Sequence, residues 1–167
     1  LANGVDVAVI PELVARHGIG GLSLVDGQFA TVILDRAENA LILARDRFGI
    51  CPLYYTVTDS GVHFCSELKA LVQGIDRSWR LDVGAVDQYL SLGNIVAPRT
   101  LVRGVHAVPP GCAVLFRAGD RQPETHRYWR YGEFERPPRP RPARSCVSAC
   151  GSRCATVSTR TWKSAPT

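Results

Sequence analysis

Six cysteines are the strongest nucleophiles in this 167-residue sequence, and their surroundings decide what they could do. Cys146, Cys150 and Cys154 form a Cys-x3-Cys-x3-Cys series. Zinc sites usually open on a Cys-x2-Cys or Cys-x4-Cys pair and add a second pair, so the series reads as tail thiols, not as a metal centre. Cys51, Cys65 and Cys112 are isolated in the sequence. These three read as core or surface residues. His17, His63, His106 and His126 are scattered and form no ligand pair. His17-Gly18-Ile19-Gly20-Gly21 is glycine-rich, but it follows a helical stretch where a phosphate cradle would open one after a strand, so it reads as a helix C-cap. Asp46 stands between Arg45 and Arg47, just before Gly49. That cluster reads first as a charge network that fixes a turn, and second as a wall of a ligand pocket or a contact with another domain.

Local elements must position these residues. Residues 7–16 have helical spacing, with Val9, Ile10, Leu13 and Val14 on one face and Pro11 in the first turns, where a missing N–H does least harm. Residues 29–35 and 40–44 are apolar runs around a turn at residues 36–39, which predicts a β-hairpin. A second hairpin is predicted from residues 53–58 and 62–65, joined by Asp59-Ser60-Gly61. Residues 66–72 suit a short helix with Ser66 as N-cap, and Asp82 suits the N-cap of a helix running to Leu92. Residues 106–108 and 113–116 read as a last strand pair around the Pro109-Pro110-Gly111 turn.

Composition bounds the class. The length suits one domain with one core. There is no apolar run long enough to span a bilayer and no secretory signal pattern, which makes the cytoplasm the default location and argues against disulfides. The chain carries 20 basic and 15 acidic residues, a net charge of +5. Seven of the basic residues lie from Arg136 onward, where no acid occurs, so the remainder is slightly acidic. A basic patch for nucleic acid on the folded body is therefore not supported. Beyond about Trp129 the periodic pattern stops, and Arg136-Pro137-Pro138-Arg139-Pro140-Arg141-Pro142 leads into a Ser/Cys/Arg/Thr/Ala mixture. Residues 131–167 are expected to be a disordered tail, either a linker or the product of a shifted reading frame. The sequence has no Met and begins at Leu1 as if mid-protein, so we expect it to be incomplete at the front.

Three segments carry a family resemblance. Leu24-Val25-Asp26-Gly27-Gln28-Phe29-Ala30 is similar to the strand opening the second half of the class II glutamine amidotransferase domain. Ala44-Arg45-Asp46-Arg47-Phe48-Gly49-Ile50-Cys51-Pro52-Leu53-Tyr54-Tyr55 resembles the block found in glutamine-dependent asparagine synthetases, with Cys51 in place of a lysine. Ser66-Glu67-Leu68-Lys69-Ala70-Leu71 is similar to a third family motif. Weaker support comes from Ala97-Pro98-Arg99-Thr100-Leu101, Val108-Pro109-Pro110-Gly111 and Tyr128-Trp129.

The resemblance implies an α+β fold, part of a four-layer αββα sandwich of the N-terminal nucleophile hydrolase type, over residues 1–130. It implies glutamine hydrolysis by an N-terminal cysteine that uses its own α-amine as base, an Asn-Gly oxyanion hole, an arginine for the substrate carboxylate and an aspartate for its ammonium. Only the aspartate has a counterpart in this sequence, Asp6, in the setting Val5-Asp6-Val7-Ala8, where the motif's Ser and Glu are replaced. The implied partner is a synthetase domain, in cis or in trans, that uses ATP and magnesium to join the ammonia to aspartate. Its pyrophosphate-binding Ser-Gly-Gly-x-Asp-Ser signature does not occur among these residues, and no cofactor is expected in this chain. An alternative is a non-catalytic scaffold of the kind found in β-lactam synthetases and lasso-peptide cyclases.

Overall fold

The computed structural model describes residues 9–118 and 122–132 and the strand at residues 154–157. The predicted first helix is α1, Val9–His17. It buries Ile10, Pro11 and Val14, and turns Val9 outward. Gly18, with φ +63, ends the α-helix, and the chain continues as a 3-10 helix over Gly18–Leu24. Gly21 lies so close to α1 that a Cβ there would sit 2.5 Å from the Leu13 carbonyl oxygen.

The first predicted hairpin forms as β1, Ala30–Asp35, and β2, Ala40–Arg45, paired antiparallel from Ala30↔Arg45 to Asp35↔Ala40. Its turn is set by Asp35, whose Oδ1 accepts from the N–H of Ala37 and of Glu38, and by Asn39 in the left-handed region. The second hairpin is β3, Tyr54–Thr58, and β4, Gly61–Cys65. Thr58 Oγ1, Ser60 Oγ and His63 Nε2 lie within 3.0 Å of one another across its turn, so His63 is occupied in fastening the hairpin.

The predicted strand pair at residues 106–116 does not form as a pair. β5, His106–Ala107, joins β3, whereas β6, Cys112–Arg117, joins β2. Pro109 and Pro110 remove two consecutive N–H donors, so the intervening segment cannot continue a ladder and instead carries the chain from one sheet to the other. Two strands were not foreseen: β7, Glu124–Arg127, which pairs with β6, and β8, Cys154–Val157, which pairs with β1. β8 lies in the stretch where the composition predicted no regular element.

The result is an α+β chain with a five-stranded sheet, β7-β6-β2-β1-β8, and a three-stranded sheet, β4-β3-β5. Alternation along β1, β2 and β6 sends side chains to opposite faces. Ile33, Ile42, Ala44, Ala113 and Leu115 pack with Ile10, Val14 and Leu22 on the α1 side. Val32, Leu43 and Val114 pack with Leu53, Tyr55 and Val108 toward the smaller sheet. Both faces are covered, which is why these strands read as continuous apolar runs. Each fully buried aliphatic side chain contributes about 1.5–3 kcal/mol.

α2, Leu68–Gln73, packs against β3 and β4. Its N-cap is Glu67, without a side-chain cap bond, and not Ser66 as the sequence suggested. α3, Val83–Leu92, starts as predicted, with Asp82 Oδ1 accepting from the Ala85 N–H at 3.2 Å, and ends at Gly93 with φ +69. α3 buries Ala85 alone and leaves Val83, Tyr89, Leu90 and Leu92 exposed.

Candidate functional site

Three segments distant in sequence meet at the end of β2. Asp46, 1% exposed, sits immediately past the strand. Its Oδ1 accepts from the N–H of Phe48 and of Ile50, both at 3.0 Å, and its Oδ2 from the N–H of Cys51 at 2.9 Å. Its own N–H donates to the Phe29 carbonyl, and its carbonyl accepts from Gly49 and Gly111. Arg45 closes the same loop from the other side. Its Nε donates to the Cys51 carbonyl at 2.8 Å, Nη2 to Gly49 at 2.5 Å and Nη1 to Val108 at 3.0 Å.

Tight approaches hold the clasp together. Gly49 has φ +67, and a Cβ there would meet Pro110 Cγ at 2.9 Å and the Arg45 guanidinium carbon at 3.0 Å. Gly111, with φ +63, lies against Trp129, where a Cβ would come 2.8 Å from the Trp129 carbonyl oxygen. The Gly111 carbonyl accepts from the N–H of both Tyr128 and Trp129. The Tyr128 hydroxyl donates to the Arg45 carbonyl. Phe48, 63% exposed, stacks edge-on against Trp129, with ring centroids 5.1 Å apart, and Trp129 in turn meets Tyr131.

The sequence had suggested a network among neighbouring charges. In the structure Arg45 and Asp46 each bond to backbone groups instead. Arg47 reaches away, with Nη2 donating to the Ser23 carbonyl and Nη1 lying 3.3 Å from Asp26 Oδ1. With its bonds so committed, the Arg45-Asp46 pair offers no proton shuttle or nucleophile. It shapes a turn whose outer surface is apolar, formed by Phe48, Ile50 and Tyr131.

The cysteines fit the same picture. Cys51 serves the clasp through its backbone N–H and carbonyl. Cys65 ends β4 opposite Tyr54. Cys112 is buried, and burial pushes its thiol above the ordinary range, partly offset by the Arg127 charge. A raised thiol is less often thiolate, the opposite of what a nucleophile needs. Among the described residues no group of three or more His, Cys, Asp or Glu could hold a metal ion. Asp6 lies outside the described residues, as do Cys146 and Cys150. An open hollow of about 460 Å³ lies beside α3, lined in part by Asp82, Gln88, Arg99, Thr100 and His106. Arg99 Nε is 3.7 Å from Asp82 Oδ2, so its charge is matched within the hollow. The sequence had read Asp82 as a helix cap and residues 97–101 as a weak family match, and gave no sign that they share a hollow with Gln88 and His106.

Burial, reinforced by the Asp46 charge, raises the Tyr128 phenol well above its usual range. The neutral phenol is thus favoured in the folded chain. Its contribution is fully present below the unfolded value of about 10 and is lost as pH rises through the folded value. We expect the urea midpoint of the wild-type chain to fall above about pH 10. Tyr128→Phe should cost about 1 kcal/mol at neutral pH and show a shallower alkaline fall. Tyr55, also raised by burial, leaves a residual slope. Equal alkaline slopes for both chains would remove Tyr128 from this role.

Comparison with known proteins bears on the same segments. The profile of a family described as "Glutamine amidotransferase domain" matches residues 2–129. An amidase of Penicillium rubens, chyE, is 32% identical, over 74% of this chain and 18% of its own length. A putative glutamine-hydrolysing asparagine synthetase of Methanocaldococcus jannaschii is 26% identical, over 80% of this chain and 26% of its own length. Asparagine synthetase 1 of Bacillus subtilis is 38% identical, over 54% of this chain and 14% of its own length. The chain therefore spans less than a third of each of these relatives.

Proposed function

The chain belongs to the glutamine amidotransferase domain family, and from that premise we propose that it is the glutaminase segment of a glutamine-hydrolysing asparagine synthetase. In this reading glutamine yields ammonia, which a synthetase domain in cis or in trans joins to aspartate with ATP and magnesium. The clasp is the observation that carries the proposal: residues 44–55, 108–111 and 128–129, each similar to an asparagine synthetase stretch in sequence, converge on one structural unit. The relatives named as asparagine synthetases support the same reading. We assign the chain to an αββα sandwich of the N-terminal nucleophile hydrolase type. α1 on one face of the larger sheet, the smaller sheet on the other, and α2 against that smaller sheet support the assignment. The uncovered apolar side chains of α3 support a partner domain. Among the described residues no helix is long and apolar enough to cross a membrane, and we place the enzyme in the cytoplasm.

Asp6 takes the substrate ammonium in this reading, and the nucleophilic cysteine, its oxyanion donors and the carboxylate-binding arginine have no counterpart among residues 1–167. A chimera tests this by placing the upstream segment of the Bacillus subtilis relative before Leu1. Glutamate release from glutamine is expected to appear, and Asp6→Ala should raise KM about 10- to 100-fold, the value of one charged hydrogen bond. A folded chimera that binds glutamine without hydrolysing it would favour the second reading, a non-catalytic scaffold. The replacement of the motif's Ser and Glu by Val5 and Ala8 around Asp6 favours that alternative.

A further inference from the structure

The polar groups around the hollow beside α3 fall into two sets. One set is spent on the loop that forms the wall. Thr56 and Thr100 are both buried. Thr56 Oγ1 donates to the Gly104 carbonyl at 2.7 Å, and Thr100 Oγ1 to the Val105 carbonyl at 2.8 Å. The Ala107 N–H donates to the Pro98 carbonyl at 2.9 Å. Residues 98–107 are thus pinned from inside, and a wall held in this way costs a ligand little ordering. The other set is unspent. Arg99 Nε lies 3.7 Å from Asp82 Oδ2, near enough to match its charge and too far for an N–H···O bond. Among the described residues the Arg99 guanidinium has no hydrogen-bond acceptor. Asp82 Oδ1 caps α3 through the Ala85 N–H, which leaves Oδ2 open. Gln88 uses its Oε1 for the Val96 N–H at 3.0 Å, which leaves its NH2 group open. All of these open groups border one hollow of about 460 Å³, within the range of small-molecule sites, and Val96, Val102 and Val105 supply apolar lining between them.

We propose that this hollow is a binding site for a free α-amino acid with a short aliphatic side chain, its carboxylate on Arg99 and its ammonium on Asp82 Oδ2. The choice of a zwitterion follows from the two charges. An anion alone would gain Arg99 but crowd the Asp82 carboxylate, and a cation alone would gain Asp82 but crowd the guanidinium. A ligand that carries both signs on adjacent groups satisfies both walls and makes with Arg99 the charge-assisted hydrogen bonds that Asp82 does not. The Gln88 NH2 group adds a donor for the carboxylate, and the valines take the aliphatic side chain out of water. The inference stands apart from the glutamine reading, which gives no role to residues 82–106.

The test titrates the full chain with L-valine and reads the backbone amides and the Arg99 Nε–H by heteronuclear NMR. Two controls each lack one charge: isovalerate has no ammonium, and isobutylamine has no carboxylate. L-valine should give saturable shifts at Arg99, Val102, Gly104 and His106 and none along β1, with a Kd of about 1 mM, as suits a ligand of few atoms. Both controls should bind at least ~10-fold more weakly. Asp82→Asn keeps a good N-cap for α3 and removes only the charge, so it should weaken L-valine at least ~10-fold while the α3 amides keep their positions. No saturable shift around the hollow at about 20 mM L-valine overturns the proposal, as does isovalerate or isobutylamine binding as tightly as L-valine. So does a folded Asp82→Asn chain with unchanged affinity. If that variant does not fold, the three ligands on the unmodified chain decide.

Discussion

Replacing Asp46 with alanine is expected to destabilise the chain by about 3–5 kcal/mol, a large share of the roughly 5–15 kcal/mol that holds a domain of this size together. The size follows from what the carboxylate holds. Its two oxygens accept three backbone N–H groups within a six-residue loop, in a position 1% exposed. Alanine leaves all three donors without that acceptor, and the cost of an unmade bond exceeds the net gain of a made one. Asparagine grades the effect. With its oxygen at the Oδ1 position it keeps the bonds from Phe48 and Ile50, but it turns an NH2 group toward the Cys51 N–H. Asp46→Asn should therefore cost about 2 kcal/mol, less than alanine and clearly more than nothing. With an m-value of about 1–3 kcal/mol per molar urea, both substitutions shift the midpoint measurably. A wild-type midpoint for Asp46→Asn would show that the carboxylate does not hold the loop.

Arg45→Lys is the second large effect, despite its conserved charge. The planar guanidinium donates to three carbonyls that lie in different directions, those of Gly49, Cys51 and Val108. An ammonium on a flexible stem cannot reproduce that fork. Losing two of the three bonds should cost about 2–4 kcal/mol. Because Arg45 and Asp46 close one loop from two sides, the double variant Arg45→Lys/Asp46→Asn should cost less than the two single costs summed, by about 1 kcal/mol or more. Strict additivity in denaturant unfolding would mean that the two side chains hold separate structures and that the clasp is not one unit.

The sequence made the local elements legible and left the long-range ones obscure. The β1–β2 hairpin followed from two apolar runs and a short polar turn, and the start of α3 from Asp82, because each depends on residues a few positions apart. Both the partner of β5 and that of β6 depend on which sheet each reaches after Pro109 and Pro110, and nothing within ten residues encodes that choice. β7 was missed because Glu124-Thr125-His126-Arg127 has no apolar alternation; its partner β6 supplies the ladder. Within the candidate site, the resemblance singled out residues 44–55 as a block but could not show that Asp46 bonds backbone in place of its arginine neighbours. That distinction depends on Gly49 and Gly111 taking positive φ and letting the loop close to within contact of Pro110 and Trp129.

The proposal that most needs testing is that none of Cys51, Cys65 and Cys112 acts as a glutamine nucleophile: none of the three has the free α-amine that the family resemblance implies for that role, and Cys112 is buried with a raised thiol. Its most direct test is intact-mass analysis of the 167-residue chain after incubation with a cysteine-directed glutamine analogue, run alongside an assay for glutamate release from glutamine. The predicted result is no glutamine-protected adduct at Cys51, Cys65 or Cys112 and no turnover. A stoichiometric adduct at any of the three, prevented by glutamine and accompanied by glutamate release, would contradict the account.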